Sequence, residues 1–291
     1  MESEQRVSKQ EALDLILAHW DPERTVETVP LAEAAGRALA RDLTALGMGG
    51  WGQVPVVRRP KVAFLPTGSE LVPAGAELRR GQNFDTNSVM AAQLLREMGA
   101  EPVLGPILRD DPETLKTALD ALLDQADIVL LNAGTSKGGE DCCGQLLEDS
   151  GGSLFHGVAA VPGRPMGAAI IRGKPVLNLS GPALACFYSL DWMVRPLVCH
   201  MLGISLPRRE AVVAELTAPL RTPPMFSMLT QMRVERRADG TYTATPLAFR
   251  GPGAVSTARA LTANGMYVSA PGELPHGEGT LIQVELLRQD G

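Results

Sequence analysis

The 291-residue sequence lacks the marks of several broad classes of protein. No stretch reaches the ~18 apolar residues a membrane helix needs, and the polar N-terminus, Met1 to Lys9, has no apolar signal core. A cytoplasmic protein without a membrane partner is expected. The four cysteines (Cys142, Cys143, Cys186, Cys199) show no CxxC spacing, so neither zinc nor a disulfide framework is expected. The four histidines (His19, His156, His200, His276) form no metal-ligand pattern either. Basic residues (27) are outnumbered by acidic ones (33), and no Lys/Arg run is interleaved with aromatics, which argues against a nucleic-acid partner. Repeats and low-complexity segments are also missing.

What is there is periodic and rich in turns. Apolar residues make up 45% of the chain, 30 glycines and 22 prolines punctuate it, and its length suggests two or three compact units. Ser8-Lys9-Gln10-Glu11 has the form of a capping box, followed at helical spacing by Ala12, Leu13, Ile16, Leu17 and Trp20. The run from Pro30 through Leu31, Ala34, Ala35, Ala38, Leu39 and Leu43 reads as a second helix. Gly47 to Gly52 then reads as a flexible connection. These pieces form an N-terminal helical segment, residues 1–56.

Residues 57–206 alternate strand and helix. Val62 to Leu65, Val103 to Leu108, Ile128 to Leu131 and Pro175 to Leu179 read as strands. Helices are expected around Met90 to Met98, from Pro112 to Leu123 with Asp111 as N-cap, after Cys142, and up to Leu202. Such βα units predict a doubly wound, mostly parallel sheet with helices on both faces. Beyond Pro207 the pattern changes to short strands: Val212 to Leu216, Gln231 to Arg236, Tyr242 to Leu247, Met266 to Ser269 and Leu281 to Leu287. With the hairpin signal Asp239-Gly240, residues 207–291 read as a small β barrel or sandwich.

In an open α/β sheet, ligands bind beyond the carboxyl ends of the strands. Gly81 to Ser88 leads into a helix there, and Asp85 and Asn87 suit either capping or ligand contact. Of Asp110 and Asp111, the second suits a cap and the first is the freer carboxylate. The loop from Asn132 to Asp141 offers glycines, hydroxyls and Lys137 as donors to a phosphate or similar oxyanion. It is neither GxxxxGK(S/T) nor GxGxxG, and an ordinary glycine-rich turn explains its composition as well. Glu140 and Asp141 suit either Mg²⁺ or the dipole of the next helix. Pro162-Gly163-Arg164-Pro165 is a rigid turn placing Arg164 where it meets either solvent or a phosphate.

These loops, in this order, resemble the MoeA-type molybdopterin molybdenumtransferases, a family that includes the gephyrin E domain. Thr67-Gly68-Ser69-Glu70-Leu71 resembles the family's TGDEL, and Asp85-Thr86-Asn87-Ser88 its D-(S/T)-N-(S/R). Asp110-Asp111-Pro112 resembles DDP, and Ser136, Gly138 and Asp141 align with GG-x-S-x-G-x-x-D. Gly157-Val158-Ala159 with Pro162-Gly163-Arg164-Pro165 resembles GVAMKPGKP, and Arg259 to Gly265 resembles part of the final β domain. The resemblance implies a site for molybdopterin, or its adenylylated form, at Thr67, Gly68, Asp85, Asn87, Ser88, Gly134, Thr135, Ser136, Gly138, Pro162, Gly163 and Arg164. It implies Mg²⁺ at Glu140 and Asp141, molybdate as co-substrate, and Asp141, Asp110 and Lys137 in the catalytic step. A homodimer, and contact with other molybdenum-cofactor proteins, are implied as well.

The departures are specific. Between the second helix and Lys61 the family carries a long segment with PxFDNSAMDGYA and a separate β domain, where this chain has only Thr44 to Arg59. The lysines of KPGKP are Val161 and Arg164, PGNP is Ser180-Gly181-Pro182-Ala183, and the Asp of TGDEL is Ser69. A reduced member that binds the pterin, with or without molybdenum insertion, is therefore expected. A non-catalytic carrier, sensor or assembly partner is the alternative, and a pterin adenylyltransferase or competence-damage-type nucleotide enzyme a third.

Overall fold

The computed structural model describes residues 6–37, 40–133, 142–247 and 262–287. It opens with helix α1 (Lys9–His19), where the Ser8 side chain accepts from the Glu11 N–H and Glu11 accepts in return from the Ser8 N–H. That reciprocal pair satisfies two otherwise orphaned donors, and Ala12 and Ile16 are buried on the inner face.

The next segment departs from the expected helix. Strand β1 (Val26–Pro30) is followed by a 3₁₀ turn (Leu31–Ala34), helix α2 (Ala40–Met48) and strand β2 (Gln53–Val57). β1 and β2 pair antiparallel from Val26↔Val57 to Pro30↔Gln53. Val29, Ala34, Val54 and Val56 form a small core of their own. The β-branched residues around Glu27 and Thr28 alternate as a half-buried strand does, and the partner strand makes that pattern prevail over the alanine spacing. Gly47 to Gly52, expected as a flexible connection, is instead the end of α2 and a turn with Gly50 at φ 81°.

The α/β part follows as β3 (Lys61–Thr67), β4 (Leu71–Pro73), β5 (Asn83–Asp85), α3 (Asn87–Glu97), β6 (Glu101–Leu104), α4 (Pro112–Leu123), β7 (Ile128–Ala133), α5 (Cys142–Gly151), β8 (Ser153–His156), β9 (Ala160–Val161), β10 (Gly167–Ile171), β11 (Lys174–Ser180), α6 (Ala183–Ser189) and α7 (Arg195–Leu202). Its sheet has the order β6-β3-β7-β11-β10-β8, parallel through the first four strands, with β10 antiparallel to both neighbours. Alternate strand residues enter two cores. Val62, Phe64, Ile128 and Leu130 pack with Leu95 of α3 and Leu197 of α7, whereas Ala63, Leu65, Val129 and Leu131 pack with Leu115 and Leu119 of α4 and Leu147 of α5. From β3 the chain crosses to β6 at the sheet edge, then returns to β7 on the other side of β3. The order therefore reverses between β3 and β7.

The last part comprises β12 (Ala211–Leu216), β13 (Ser227–Arg236), β14 (Tyr242–Pro246), β15 (Gly265–Ser269) and β16 (Leu281–Leu286). They pair β14-β12-β16-β15-β13, and β13 closes back onto β14 to make a small barrel. Ala214, Met232, Val234, Ala244, Ile282 and Val284 fill it. A Cβ on Gly265 would lie 2.8 Å from Val234 Cγ2 and 2.9 Å from Val284 Cγ1, so the close-packed interior requires glycine there. β9 extends the barrel sheet by pairing parallel with β13 at Ser227↔Ala160.

Candidate functional site

A cleft of about 310 Å³ opens where the strand order reverses, lined by Thr67, Glu70, Leu71, Asn83 to Asn87, Asn132 and Gly181 to Ala183. Its floor is a chain of buried side-chain amides. Asn87, at the start of α3, donates through Nδ2 to Asn132 Oδ1 at 2.9 Å and to the Gly181 carbonyl at 2.6 Å. Asn132, at the end of β7, donates to the Ser180 carbonyl at 3.0 Å and the Leu179 carbonyl at 3.4 Å. The two asparagines thus hold the ends of β7 and β11 to the start of α3, supplying donors to carbonyls that the ladder leaves open. Thr67, fully buried at the end of β3, reaches the Asn132 carbonyl at 3.5 Å and Cys143 Sγ at 3.8 Å.

Asp85 is half-buried and accepts from the Ser88 N–H at 3.0 Å, capping α3 with one carboxylate oxygen. Capping does not exhaust a carboxylate, which offers about four lone-pair sites. Burial raises the Cys186 thiol well above its ordinary value, and the Asp85 charge raises it further. Glu70 brings a second carboxylate to the cleft, and Gly68 makes room for it: at φ 155°, a Cβ there would lie 2.8 Å from Glu70 Oε2. Among the described residues no lysine or arginine lines this cleft. The hydroxyls of Ser88 and Ser180, both buried, meet no hydrogen-bond partner among the described residues.

Of the residues singled out in the sequence, Thr67, Asp85 and Asn87 line one cleft, with Gly68 and Ser88 adjoining it in the chain. Asp110 is exposed, and its carbonyl lies 4.0 Å from Cys142 Sγ. Asp111 caps α4 by accepting from the Thr114 N–H at 2.9 Å. Arg164 is exposed and stacks 4.7 Å above the Phe226 ring of the barrel, and a Cβ on Gly163 would lie 3.2 Å from Ser189 Oγ. Pro162 follows a cis peptide bond from Val161. Gly134, Thr135, Ser136, Lys137, Gly138, Glu140 and Asp141 lie outside the described residues. Among the described residues no three His, Cys, Asp or Glu side chains group as metal ligands, so Glu70 and Asp85 alone do not build a protein-held Mg²⁺ site. Sequence reasoning missed Glu70 and Asn132 as site residues. The available signal for Asn132 was an amide closing the apolar run Ile128 to Leu131.

Comparison with known proteins agrees with this geometry. A family model described as a probable molybdopterin binding domain matches residues 63–200. The chain is 31% identical over 246 residues to molybdopterin molybdenumtransferase 2 of Mycobacterium tuberculosis, covering 81% of this chain and 58% of that protein. The crystal structure of a molybdopterin biosynthesis MoeA protein from Pyrococcus horikoshii superposes with a TM-score of 0.73 at 28% identity, over 87% of this chain and 61% of the other. A second MoeA structure from Pyrococcus horikoshii OT3 shares the fold, with a TM-score of 0.80 at 18% identity, over 97% of this chain and 100% of the other. The chain thus spans somewhat more than half the length of the Mycobacterium relative. With its parallel sheet, switch-point cleft, barrel and matched sequence, the chain belongs to the MoeA-type molybdopterin molybdenumtransferase family.

Proposed function

We propose that the chain acts in molybdenum cofactor biosynthesis, binding molybdopterin or its adenylylated form in the switch-point cleft and receiving molybdate beside it. The observation that carries this reading is the Asp85 carboxylate, held in place by its bond to the Ser88 N–H and facing a cleft that no cation lines among the described residues. A pterin ring presents an amino group and a ring N–H as adjacent donors, and a carboxylate accepts such a pair in bidentate fashion. Asn87 and Asn132 spend their amides on the fold, so their part is to fix the cleft rather than to select the ligand. Thr67, Gly68 and Ser88 complete the proposed pterin end.

The phosphate and molybdate ends need donors of the opposite kind. In this reading they come from Gly134, Thr135, Ser136, Lys137 and Gly138, and from Arg164 on its Pro162-Gly163 turn. Glu140 and Asp141 would hold Mg²⁺, a hard cation that would supply positive charge to substrate oxygens, and Asp110 and Asp141 would position the attacking oxygen. A homodimer and a cytoplasmic location belong to the same proposal.

Titration calorimetry of the purified chain with adenylylated molybdopterin tests it. Saturable binding that Asp85→Asn weakens about tenfold supports the reading. The absence of binding overturns it. Binding without conversion of molybdate and the adenylylated pterin into active cofactor assigns the chain a carrier role in place of insertion.

A further inference from the structure

The helix after β11 changes pitch in its middle. Between α6 and α7, Leu190–Val194 forms a π turn in which the Arg195 N–H donates to the Leu190 carbonyl five residues back. Such turns are rare, cost regular hydrogen bonding and recur at functional positions. This one adjoins another cleft, about 760 Å³, between α1, the long helix and the barrel, a size that suits a small organic ligand.

The charges there run against those of the chain. Lys9, Arg195, Arg208 and Arg209 face Asp191 and Glu285, four cations against two carboxylates in a protein of net charge −6. Asp191, only 9% exposed, is shared by two guanidiniums: Arg195 Nη2 at 2.8 Å and Arg209 Nη1 at 2.8 Å. Among the described residues Glu285 pairs with Arg209, at 3.4 Å. Lys9 donates to the Tyr188 hydroxyl at 2.9 Å and lies 5.8 Å from the centre of the Trp192 ring, while Arg208 makes no ion pair among the described residues. Two buried donors, Trp192 Nε1 and Arg195 Nε, meet no acceptor among the described residues. Burial closes both nitrogens off from the cleft, so what a ligand would answer there is the excess positive charge of the lining, and an oxyanion answers it.

We infer that this cleft is a second ligand site, distinct from the switch-point cleft, that takes a ring-bearing organic phosphate. The ring lies against the apolar wall of Leu13, Met266 and Val268. The phosphate is held at the rim by the charges of Lys9 and Arg208. This assignment does not depend on the function proposed for the first cleft.

Calorimetry with AMP as probe and ribose 5-phosphate as its ringless comparator tests the inference. The expected result is one saturating AMP site at which ribose 5-phosphate binds at least about tenfold more weakly. Arg208→Glu, an exposed position, weakens AMP by about tenfold, and Lys9→Gln, which keeps a donor for the Tyr188 hydroxyl but removes the charge, by roughly threefold to tenfold. Both variants retain the wild-type melting temperature, and Asp85→Asn leaves this AMP site unchanged. Failure of AMP to saturate at millimolar concentration overturns the inference. So does equal binding of ribose 5-phosphate, or loss of the AMP site in Asp85→Asn but not in Arg208→Glu.

Discussion

The two clefts share one helix and use polarity in opposite ways. Pro182 and Ala183 at its start line the switch-point cleft, and Asp191, Trp192 and Arg195 in its middle line the second. In the first, the buried amides of Asn87 and Asn132 are consumed by backbone carbonyls and by each other, and the charged groups among the described lining residues are the carboxylates of Glu70 and Asp85. A ligand there must bring donors. In the second, two guanidiniums share one carboxylate and four cations face two carboxylates, so a ligand must bring acceptors. The helix thus carries complementary preferences along one axis, set by which polar groups the fold has already satisfied.

The contrast breaks most visibly at Asp191. Asp191→Ala leaves Arg195 and Arg209 facing each other with Glu285 as the remaining nearby carboxylate, and stability should fall by about 3–5 kcal/mol in urea unfolding, the cost of removing one partner of a buried ion pair. A loss below about 1 kcal/mol would mean that the cluster behaves as a solvated surface pair. In the first cleft the corresponding lesion is Asn87→Ala, which strips the Gly181 carbonyl and Asn132 Oδ1 of a shared donor. About 2–3 kcal/mol is expected from the unsatisfied acceptors. Asp85→Asn should do much less to the fold, because an amide oxygen still accepts from the Ser88 N–H. Its melting temperature should match the wild type while pterin affinity falls about tenfold, near 1.4 kcal/mol. A parallel loss of stability would reduce Asp85 to a helix cap.

What could be read in the sequence follows how local each cue is. Asp111 capping α4 with Pro112 at its first turn, and the Ser8–Glu11 box of α1, need only four adjacent residues, and both stand as expected. The Val26–Pro30 strand depends on a partner beyond an intervening helix, so the alanines that follow it drew the reading toward a helix. β10 escaped notice because Gly167, Ala168 and Ala169 have little strand propensity; they are selected by space, with a Cβ on Gly167 only 3.2 Å from the Phe155 carbonyl. Motif order revealed the first cleft, since its residues follow strand ends in turn. The second cleft draws on α1, the long helix, the connection at Arg208 and the barrel, and its π turn leaves no trace in the 3.6-residue period.

The smallest expected effect concerns Tyr267, part of the wall of the second cleft. Its hydroxyl donates to Glu273 Oε1, and His276 Nε2 lies 2.7 Å from the same oxygen. Burial alone would raise the Glu273 carboxyl, but hydrogen bonds from Tyr267, His276 and the Ala270 N–H outweigh it and hold the group below its ordinary value. Between the folded and unfolded values the unfolded chain binds more protons, so the stabilisation is complete above the unfolded value and is lost as pH falls through the folded one. Glu273→Gln keeps an oxygen for Tyr267 but cannot titrate, so its stability should decline less steeply than wild type between about pH 5 and pH 3 in urea unfolding. The cluster is partly open to solvent, which limits the difference. Equal slopes would sink the account, and would show that Tyr267 is held in the cleft wall by packing alone.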